Sequence, residues 1–279
     1  MIIGLTSAAR VNPYATLLID ELQRRQIPVG FVLSAERGHA GDVWERLKRR
    51  GVAGTLRALR RRAAGAAKGP QPLVRWAAQR ELDLSLPLVQ ICERAGIERL
   101  LVKSLSTSAA ADAVFHRGTE VLINAAGGLF RKRLLEAPSR GLLNAHMARL
   151  PELRGVDVLE WSVLLGVQPG ITVHWIDDGV DTGAILGFEP LSPAPDDTLE
   201  SLRERAVLLS ATAVADQVAR LAHGEATELP GTSDMAPQYF ALHPRLSDLA
   251  AARLAARTDC HSREEGVSII ALPLQRRTP

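Results

Sequence analysis

Cysteine is scarce in this sequence of 279 residues, which contains only Cys92 and Cys260. Two widely separated cysteines supply neither a disulfide framework nor the close-set ligand pairs of a zinc site. We therefore predict that both thiols are chemically inert and that neither holds a metal.

Long apolar runs are also missing. The run from Val121 to Ala126 is far shorter than the roughly 18 residues that a membrane span requires. The first ten residues, MIIGLTSAAR, lack the basic start of a signal peptide. Because 46% of the residues are hydrophobic, the chain can still bury a sizeable core. We expect a globular, cytoplasmic protein.

The glycines of a dinucleotide-binding turn are absent after the first apolar strand. The turn from Thr6 to Arg10 reads TSAAR, which is unlike the Gly-x-Gly-x-x-Gly fingerprint. It also offers no glycine-rich cradle for a phosphate. Ser7 and Arg10 remain candidate substrate contacts in this turn.

Acidic residues are absent from one long segment, Arg46 to Arg80, which carries eleven basic residues. The net charge of the whole chain is only +3, so the positive field is local to this segment. Three interpretations stay open: a solvated arginine-rich surface, a face that binds an acidic or phosphate-bearing partner, and a helix on an anionic membrane.

Short apolar strands alternate with helical patterns through the first two thirds of the chain, which predicts an α/β fold. The strands end in turns where a doubly wound, mostly parallel sheet would place its ligand crevice. The predicted strands are Ile2 to Leu5, Pro28 to Leu33, Arg99 to Lys103, Glu120 to Asn124 and a strand starting at Gly141; the predicted helices between them are Ala15 to Arg25, Leu86 to Ala95 and Thr107 to His116.

The stretch from Asn144 to Gly183 concentrates polar side chains between apolar runs. Asn144 and His146 are two residues apart, so on a strand they point to the same face. Asp181 follows next to Thr182 and Gly183, in a composition typical of a turn. Taken singly, each of the three is also a common structural residue.

The ordered set of motifs from about Gly96 to Ile185 resembles the formyltetrahydrofolate-dependent formyltransferases, which include glycinamide ribonucleotide transformylase, methionyl-tRNA formyltransferase and sugar N-formyltransferases. The matching residues are Asn144-x-His146, Leu150-Pro151, Arg154-Gly155, Trp161, Gly170-x-Thr172-x-His174 and Asp181-x-Gly183-x-Ile185. The resemblance implies a Rossmann-like fold with Asn144, His146 and Asp181 as the catalytic residues.

It also implies N10-formyltetrahydrofolate as the formyl donor, with no metal. Formyl transfer to an amine passes through a tetrahedral intermediate with a negatively charged oxygen, which needs aimed hydrogen-bond donors. Asn144 and a protonated His146 would be those donors, and Asp181 would hold His146 and help to move the amine proton.

Family likeness further suggests where the folate lies. Gly128, Leu129 and Phe130 correspond to an apolar wall of the pterin site, and Asp177 and Asp178 open the loop whose backbone reads the pterin edge. Leu129 and Phe130 have an alternative role as core residues. Asp157 and His174 are candidate substrate contacts, with a buried histidine bonded to the backbone as the alternative for His174.

The remaining third of the chain changes in composition. We expect a catalytic domain over residues 1–189, with a basic insertion at about 40–80, and a helical C-terminal extension over 190–279 that packs on it. Tyr239 and Phe240 either anchor a terminal helix or form a second wall of the acceptor pocket.

The acceptor is not apparent from the family pattern. Met147, Ala148, Val156 and Val158 replace residues common among relatives in the loop that faces the acceptor. We expect a small-molecule amine, such as an amino sugar or an amino-acid derivative, free or linked to a nucleotide or carrier. The alternatives are methionyl-tRNA, hydrolysis of the donor without an amine, and a catalytically silent binding protein of the same fold.

Overall fold

The computed structural model of the protein describes residues 1–35, 71–231 and 237–264. Most of the basic segment from Arg46 to Arg80 lies outside the described residues, and so do the predictions made for its function. Its last part is described and forms a helix that begins at Pro72.

The described strands are β1 (Ile3–Ser7), β2 (Phe31–Ser34), β3 (Glu98–Leu101), β4 (Val121–Asn124), β5 (Gly141–His146), β6 (Arg154–Gly155), β7 (Gly170–Ile176), β8 (Ile185–Pro190) and β9 (Gln238–Tyr239). The described helices are α1 (Pro13–Arg24), α2 (Pro72–Gln79), α3 (Leu88–Ala95), α4 (Ser108–Phe115), α5 (Lys132–Leu135), α6 (Val158–Leu165), α7 (Leu199–His223) and α8 (Pro244–Glu264).

Seven of these strands form one sheet in the order β3-β2-β1-β4-β5-β7-β8. The first five in this order pair in parallel, whereas β7 runs antiparallel to both β5 and β8. This arrangement confirms the predicted Rossmann-like, mostly parallel sheet. The strand order reverses between β1 and β4, which places the crevice of a doubly wound sheet at their carboxyl ends.

Apolar residues explain why these elements pack as they do. Strands β1, β2 and β4 are buried along their whole length, as expected for strands covered on both faces. Helix α7 begins with a capping box formed by Thr198 and Ser201, and it packs against α1, β5 and β7. The division between a catalytic domain and an extension at residue 190 stays a prediction, since residues on both sides of it share one hydrophobic core.

Two local outcomes differ from the sequence-based boundaries. Strand β2 begins at Phe31, three residues later than predicted, because its register pairs Phe31 with Gly4 of β1. Strand β1 continues to Ser7, into the residues expected to form a turn. No helix among the described residues is both long and apolar enough to cross a bilayer.

Candidate active site

Two sequence patterns face each other across neighbouring antiparallel strands. In the β5–β7 register, Asn144 is paired with His174 and His146 with Thr172. Directly opposite residues on one face of an antiparallel pair are neighbours, and alternate residues share that face. The Asn-x-His and Thr-x-His motifs therefore form a single cluster near the carboxyl end of β5.

Asp181 is brought to this cluster by the loop between β7 and β8. The Asp177 carboxylate organises that loop by accepting hydrogen bonds from the Thr182 hydroxyl at 2.5 Å and from the Gly179 N–H at 3.1 Å. A Cβ at Gly183 would lie 1.9 Å from the Trp175 carbonyl oxygen, so only glycine lets the loop pass this close to β7. Asp181 itself has a φ of 55°, a left-handed conformation that aspartate tolerates.

The Arg154-Gly155 pair holds the same loop from β6. The Gly155 N–H donates to Asp181 Oδ2 at 2.8 Å, and the buried Arg154 guanidinium donates to the Val180 carbonyl at 3.3 Å. The Arg-Gly motif thus positions the carboxylate of Asp181 through one backbone and one side-chain contact.

His146 lies between Asp181 and the backbone that precedes β6. Its Nδ1 is 3.6 Å from Asp181 Oδ2, and its Nε2 is 2.7 Å from the Leu153 carbonyl oxygen, to which it donates. Nε2 is therefore occupied by a hydrogen bond to the backbone. Any proton that His146 exchanges with a substrate must pass through Nδ1, the nitrogen that faces Asp181.

Asn144 is held on both sides of its amide. Its Oδ1 accepts from Asn124 Nδ2 at 2.9 Å, and its Nδ2 lies 3.0 Å from His174 Nε2. Asn124 is the last residue of β4, so the site draws on three adjacent strands of the sheet.

His174 is buried, with 1% of its surface exposed, and both ring nitrogens bond to protein groups. Nδ1 donates to the Trp175 carbonyl at 2.8 Å and Nε2 faces Asn144. Burial, followed by the nearby His146, lowers the pKa of His174 to about 4, although Asp181 acts in the opposite direction. The burial and the bond to Trp175 favour the alternative of a buried histidine bonded to the backbone, and a substrate contact by His174 stays a prediction.

Two other candidate substrate contacts, Ser7 and Asp157, form hydrogen bonds within the protein. Ser7 is fully buried and accepts a hydrogen bond from Asn12 Nδ2 at 3.0 Å, and its role as a substrate contact stays a prediction. Asp157 accepts from the Leu242 N–H at 2.9 Å, so its carboxylate fastens the C-terminal segment to the site. Arg10 is exposed, and its role stays a prediction.

The residues expected at the pterin site differ in exposure. Leu129 is 81% exposed beside the glycine turn, whereas Phe130 is partly buried and packs against the core on β2, β4 and β5. Gly128, Asp177 and Asp178 are exposed. Folate contacts by these five residues stay predictions, although the packing of Phe130 favours the alternative role in the core.

Sequence reasoning missed two residues of the site. Thr172 accepts from the Leu150 N–H at 3.1 Å and donates to the Ala148 carbonyl at 2.6 Å, which fixes the loop after His146. For Asn124, the sequence pattern predicts only that it ends a strand. The signal for Asn124 is its position: it is a polar residue at the end of an apolar strand, directly before a turn of small residues where a ligand crevice is expected.

Among the described residues, no group of three His, Cys, Asp or Glu side chains is arranged to hold a metal ion. The polar groups of the site are instead bonded to one another and to the backbone. The arrangement suits hydrogen-bond donation and proton transfer.

A family model described as "Formyl transferase" matches residues 74–216, just over half of the chain. The chain belongs to this formyl transferase family. The match spans the strands that carry Asn124, Asn144, His146 and His174, together with the loop that carries Asp181.

Individual relatives agree with this membership. Methionyl-tRNA formyltransferase of Sorangium cellulosum is 31% identical over 156 residues, 55% of this chain and 50% of that protein. The chain thus spans about half the length of the curated relatives that it matches.

Solved structures show the same fold. Glycinamide ribonucleotide transformylase 1 from Symbiobacterium toebii aligns with a TM-score of 0.56 and 20% identity, over 80% of this chain and 89% of its own. A sugar 3N-formyl transferase, crystallised in the presence of dTDP and 5-N-formyl-THF, aligns with a TM-score of 0.57 and 14% identity, over 91% and 79%.

Proposed function

We propose that this formyl transferase family member transfers the formyl group of N10-formyltetrahydrofolate to the amino group of a small-molecule acceptor. The observation that carries the proposal is the cluster of Asn144, His146 and Asp181 at the carboxyl edge of the sheet, with Asp181 Oδ2 3.6 Å from His146 Nδ1. We assign the chemistry to these three residues.

The reaction forms a bond between the acceptor nitrogen and the formyl carbon, whose oxygen takes up the electron pair of the carbonyl. Collapse of this tetrahedral intermediate breaks the bond to N10 of the folate. Asn144 is half-buried and has a second amide N–H beyond the one that faces His174. That N–H is suited to stabilise the developing oxyanion.

The acceptor amine must lose a proton, and N10 of the folate must gain one. His146 Nδ1 and Asp181 form the pair that can relay it, since the other imidazole nitrogen donates to the Leu153 carbonyl. Because both residues are held by backbone contacts, little reorganisation is required during the transfer.

A folate donor is supported by family membership and by the related sugar 3N-formyl transferase, whose crystals were grown in the presence of 5-N-formyl-THF. The exposed Leu129 beside the turn at Gly127 and Gly128 offers an apolar contact for a pterin ring. Asp177 and Asp178 are exposed residues of the loop that also carries Asp181.

An amino sugar or an amino-acid derivative is our proposed acceptor. Val156 and Phe240 are exposed apolar side chains: Val156 follows Gly155, whose amide binds Asp181, and Phe240 follows β9, the partner strand of β6. A compact acceptor with an apolar part fits this surface. Methionyl-tRNA is the second candidate, because several curated relatives carry that activity in their names.

Steady-state assays with N10-formyltetrahydrofolate and a panel of amines test the proposal. The panel contains amino sugars linked to nucleotides, amino-acid derivatives and methionyl-tRNA, and tetrahydrofolate and formate are both quantified. We expect amine-dependent tetrahydrofolate without free formate. Formate release in the absence of any amine would indicate a hydrolase, and donor binding without turnover would indicate a silent binding protein.

The His146→Ala variant should lower kcat by about 10² or more, since proton transfer through a positioned imidazole contributes this much. Its folate dissociation constant, measured by titration, should change less than about threefold if the ring acts on the transfer step. His223→Ala is the matched control, because His223 is exposed at the end of α7, far along the chain from the cluster. Equal activity of the two variants would contradict the role of His146.

A further inference from the structure

The amide of Asn124 has only one possible orientation. Its Oδ1 accepts hydrogen bonds from the backbone N–H groups of Ala126 at 3.1 Å and Gly127 at 3.0 Å. A backbone N–H can only donate, so the atom that faces these two groups must be the oxygen. The turn that follows β4 therefore directs the NH₂ group of Asn124 toward β5.

The orientation of the Asn124 amide determines which atoms donate and which accept in the next two hydrogen bonds. Asn124 Nδ2 donates to Asn144 at 2.9 Å, so the receiving atom of Asn144 must be its oxygen. The Asn144 NH₂ then faces His174 Nε2 at 3.0 Å, which must present a lone pair. The ring proton of neutral His174 consequently lies on Nδ1, where it donates to the Trp175 carbonyl at 2.8 Å.

The chain of bonds uses one of the two N–H groups of Asn144. Among the described residues, the other N–H has no hydrogen-bond acceptor, and Asn144 is half-buried rather than enclosed. A flipped amide would instead turn its oxygen toward His174 and present the NH₂ group to Asn124. The direction of the bonds thus decides whether an N–H is available at the site.

We propose that Asn124 and His174 are positioning residues that hold the Asn144 amide in the orientation that presents an N–H to the formyl oxygen. This role rests on the proposed formyl transfer, which makes Asn144 the oxyanion donor. Asn124 and His174 act through Asn144 and need not touch either substrate.

Asn124→Asp tests the proposal with a nearly isosteric change. A carboxylate still accepts from Ala126 and Gly127 but cannot donate to Asn144, so the Asn144 amide should flip. Its oxygen would then face the lone pair of His174 Nε2, so the bond between Asn144 and His174 would be lost. We expect kcat to fall by about 10² to 10³, the usual loss for one oxyanion donor, with an unchanged folate dissociation constant.

Asn12→Asp is the matched control. Asn12 and Asn124 are both 8% exposed, and Asn12 Nδ2 donates to the Ala125 carbonyl at 2.7 Å, next to Asn124 in the chain. The same replacement there introduces a carboxylate near the same turn without touching Asn144. We expect comparable destabilisation with kcat within about threefold of the parent protein.

The other end of the chain of bonds is tested by two variants of His174. The His174→Gln amide oxygen can occupy the place of Nε2 and accept from Asn144, whereas His174→Leu cannot. We expect Gln to retain most of the kcat and Leu to lose as much as Asn124→Asp. Equal kcat values for His174→Gln and His174→Leu, or a parent-like kcat for a folded Asn124→Asp variant, would overturn the proposal.

Nitrogen NMR of the imidazole of His174 separates this proposal from the proposed function, because it requires no turnover. In the parent protein at pH 7 we expect a protonated Nδ1 and an unprotonated Nε2 that accepts from Asn144, and in Asn124→Asp a shifted Nε2 signal because that hydrogen bond is lost. A protonated Nε2 in the parent protein would refute the chain of bonds, even if formyl transfer is observed. The predicted spectra without any formyl transfer would refute the proposed function instead.

Discussion

At the scale of single residues, the site is built from polar side chains that are hydrogen-bonded to other groups of the protein. His146 and Asp181 are each fixed by a backbone contact, at Leu153 and Gly155 respectively. Asn144 is fixed by two side chains. Such fixed groups suit electrostatic stabilisation, because they do not have to reorient while charge develops on the substrate.

The buried His174 should make folding stability depend on pH. Its pKa is lowered from 6.5 to about 4 in the folded state, mainly by burial and by His146, with Asp181 and Asp177 opposing. The unfolded chain therefore binds more protons between these values, so the stability contribution of neutral His174 is complete above pH 6.5 and declines as the pH falls toward 4. We expect a loss on the order of 3 kcal/mol over this window.

Urea unfolding of the parent protein and of His174→Gln, measured from pH 7 to pH 4.5, checks this expectation. Glutamine does not titrate, so the variant should show a shallower decline than the parent protein. Carboxylates titrate in both proteins, and only the difference between the two curves reports on His174. Parallel curves would show that this histidine is not held neutral by the fold.

At the scale of elements, the short strand β6 connects the C-terminal segment to the site. Successive N–H groups of a strand point to opposite edges: Gly155 donates to Asp181, and Val156 donates to the Tyr239 carbonyl at 3.1 Å. Trp161 strengthens the connection, since its ring lies 5.1 Å from Tyr239 and its Nε1 donates to the Phe240 carbonyl at 2.9 Å. Tyr239 thus anchors the C-terminal segment, whereas Phe240 is exposed and its place in an acceptor pocket stays a prediction.

Gly155→Ala should uncouple β9 from β6. A Cβ at Gly155 would lie 2.0 Å from the Tyr239 carbonyl oxygen, at a φ of 114° that only glycine adopts easily. We expect faster proteolysis of the C-terminal segment and a kcat reduced by about tenfold, since a small displacement of Asp181 impairs the transfer. Gly118→Ala is the control, because its φ is also positive but its Cβ would meet only Ile2 at 3.9 Å.

At the scale of the whole molecule, the helices after the sheet contribute buried residues to the hydrophobic core. Helix α7 covers β5 and β7, and the buried Ala250 and Leu254 of α8 belong to the same hydrophobic core as Ile3 and Leu5. Helix α8 also packs on α6, where the Arg253 guanidinium donates to the Leu164 carbonyl at 2.7 Å. Helix α6 is therefore supported by the C-terminal helix.

Leu254→Ala should lower the free energy of unfolding by about 2–5 kcal/mol, the usual cost of removing a buried leucine side chain. Leu249→Ala on the same helix is the control, since Leu249 is 54% exposed and Leu254 is 1% exposed. Thermal unfolding followed by circular dichroism should show a lower midpoint for the first variant only. A midpoint unchanged in both would mean that α8 contributes little to the stability of the fold.

Sequence by itself determined the five strands β1 to β5, the shared face of Asn144 and His146, and the turn that contains Asp181. Those features depend on patterns among residues that are close together in the chain: apolar runs, two polar residues at positions i and i+2, and a glycine in a loop. Only the tertiary structure decided that His174 lies opposite Asn144, that Asn124 orients it, and that Tyr239 pairs with β6. These partners are brought together by strand register and by long-range packing, which a local pattern does not specify even where it marks a single polar residue such as Asn124.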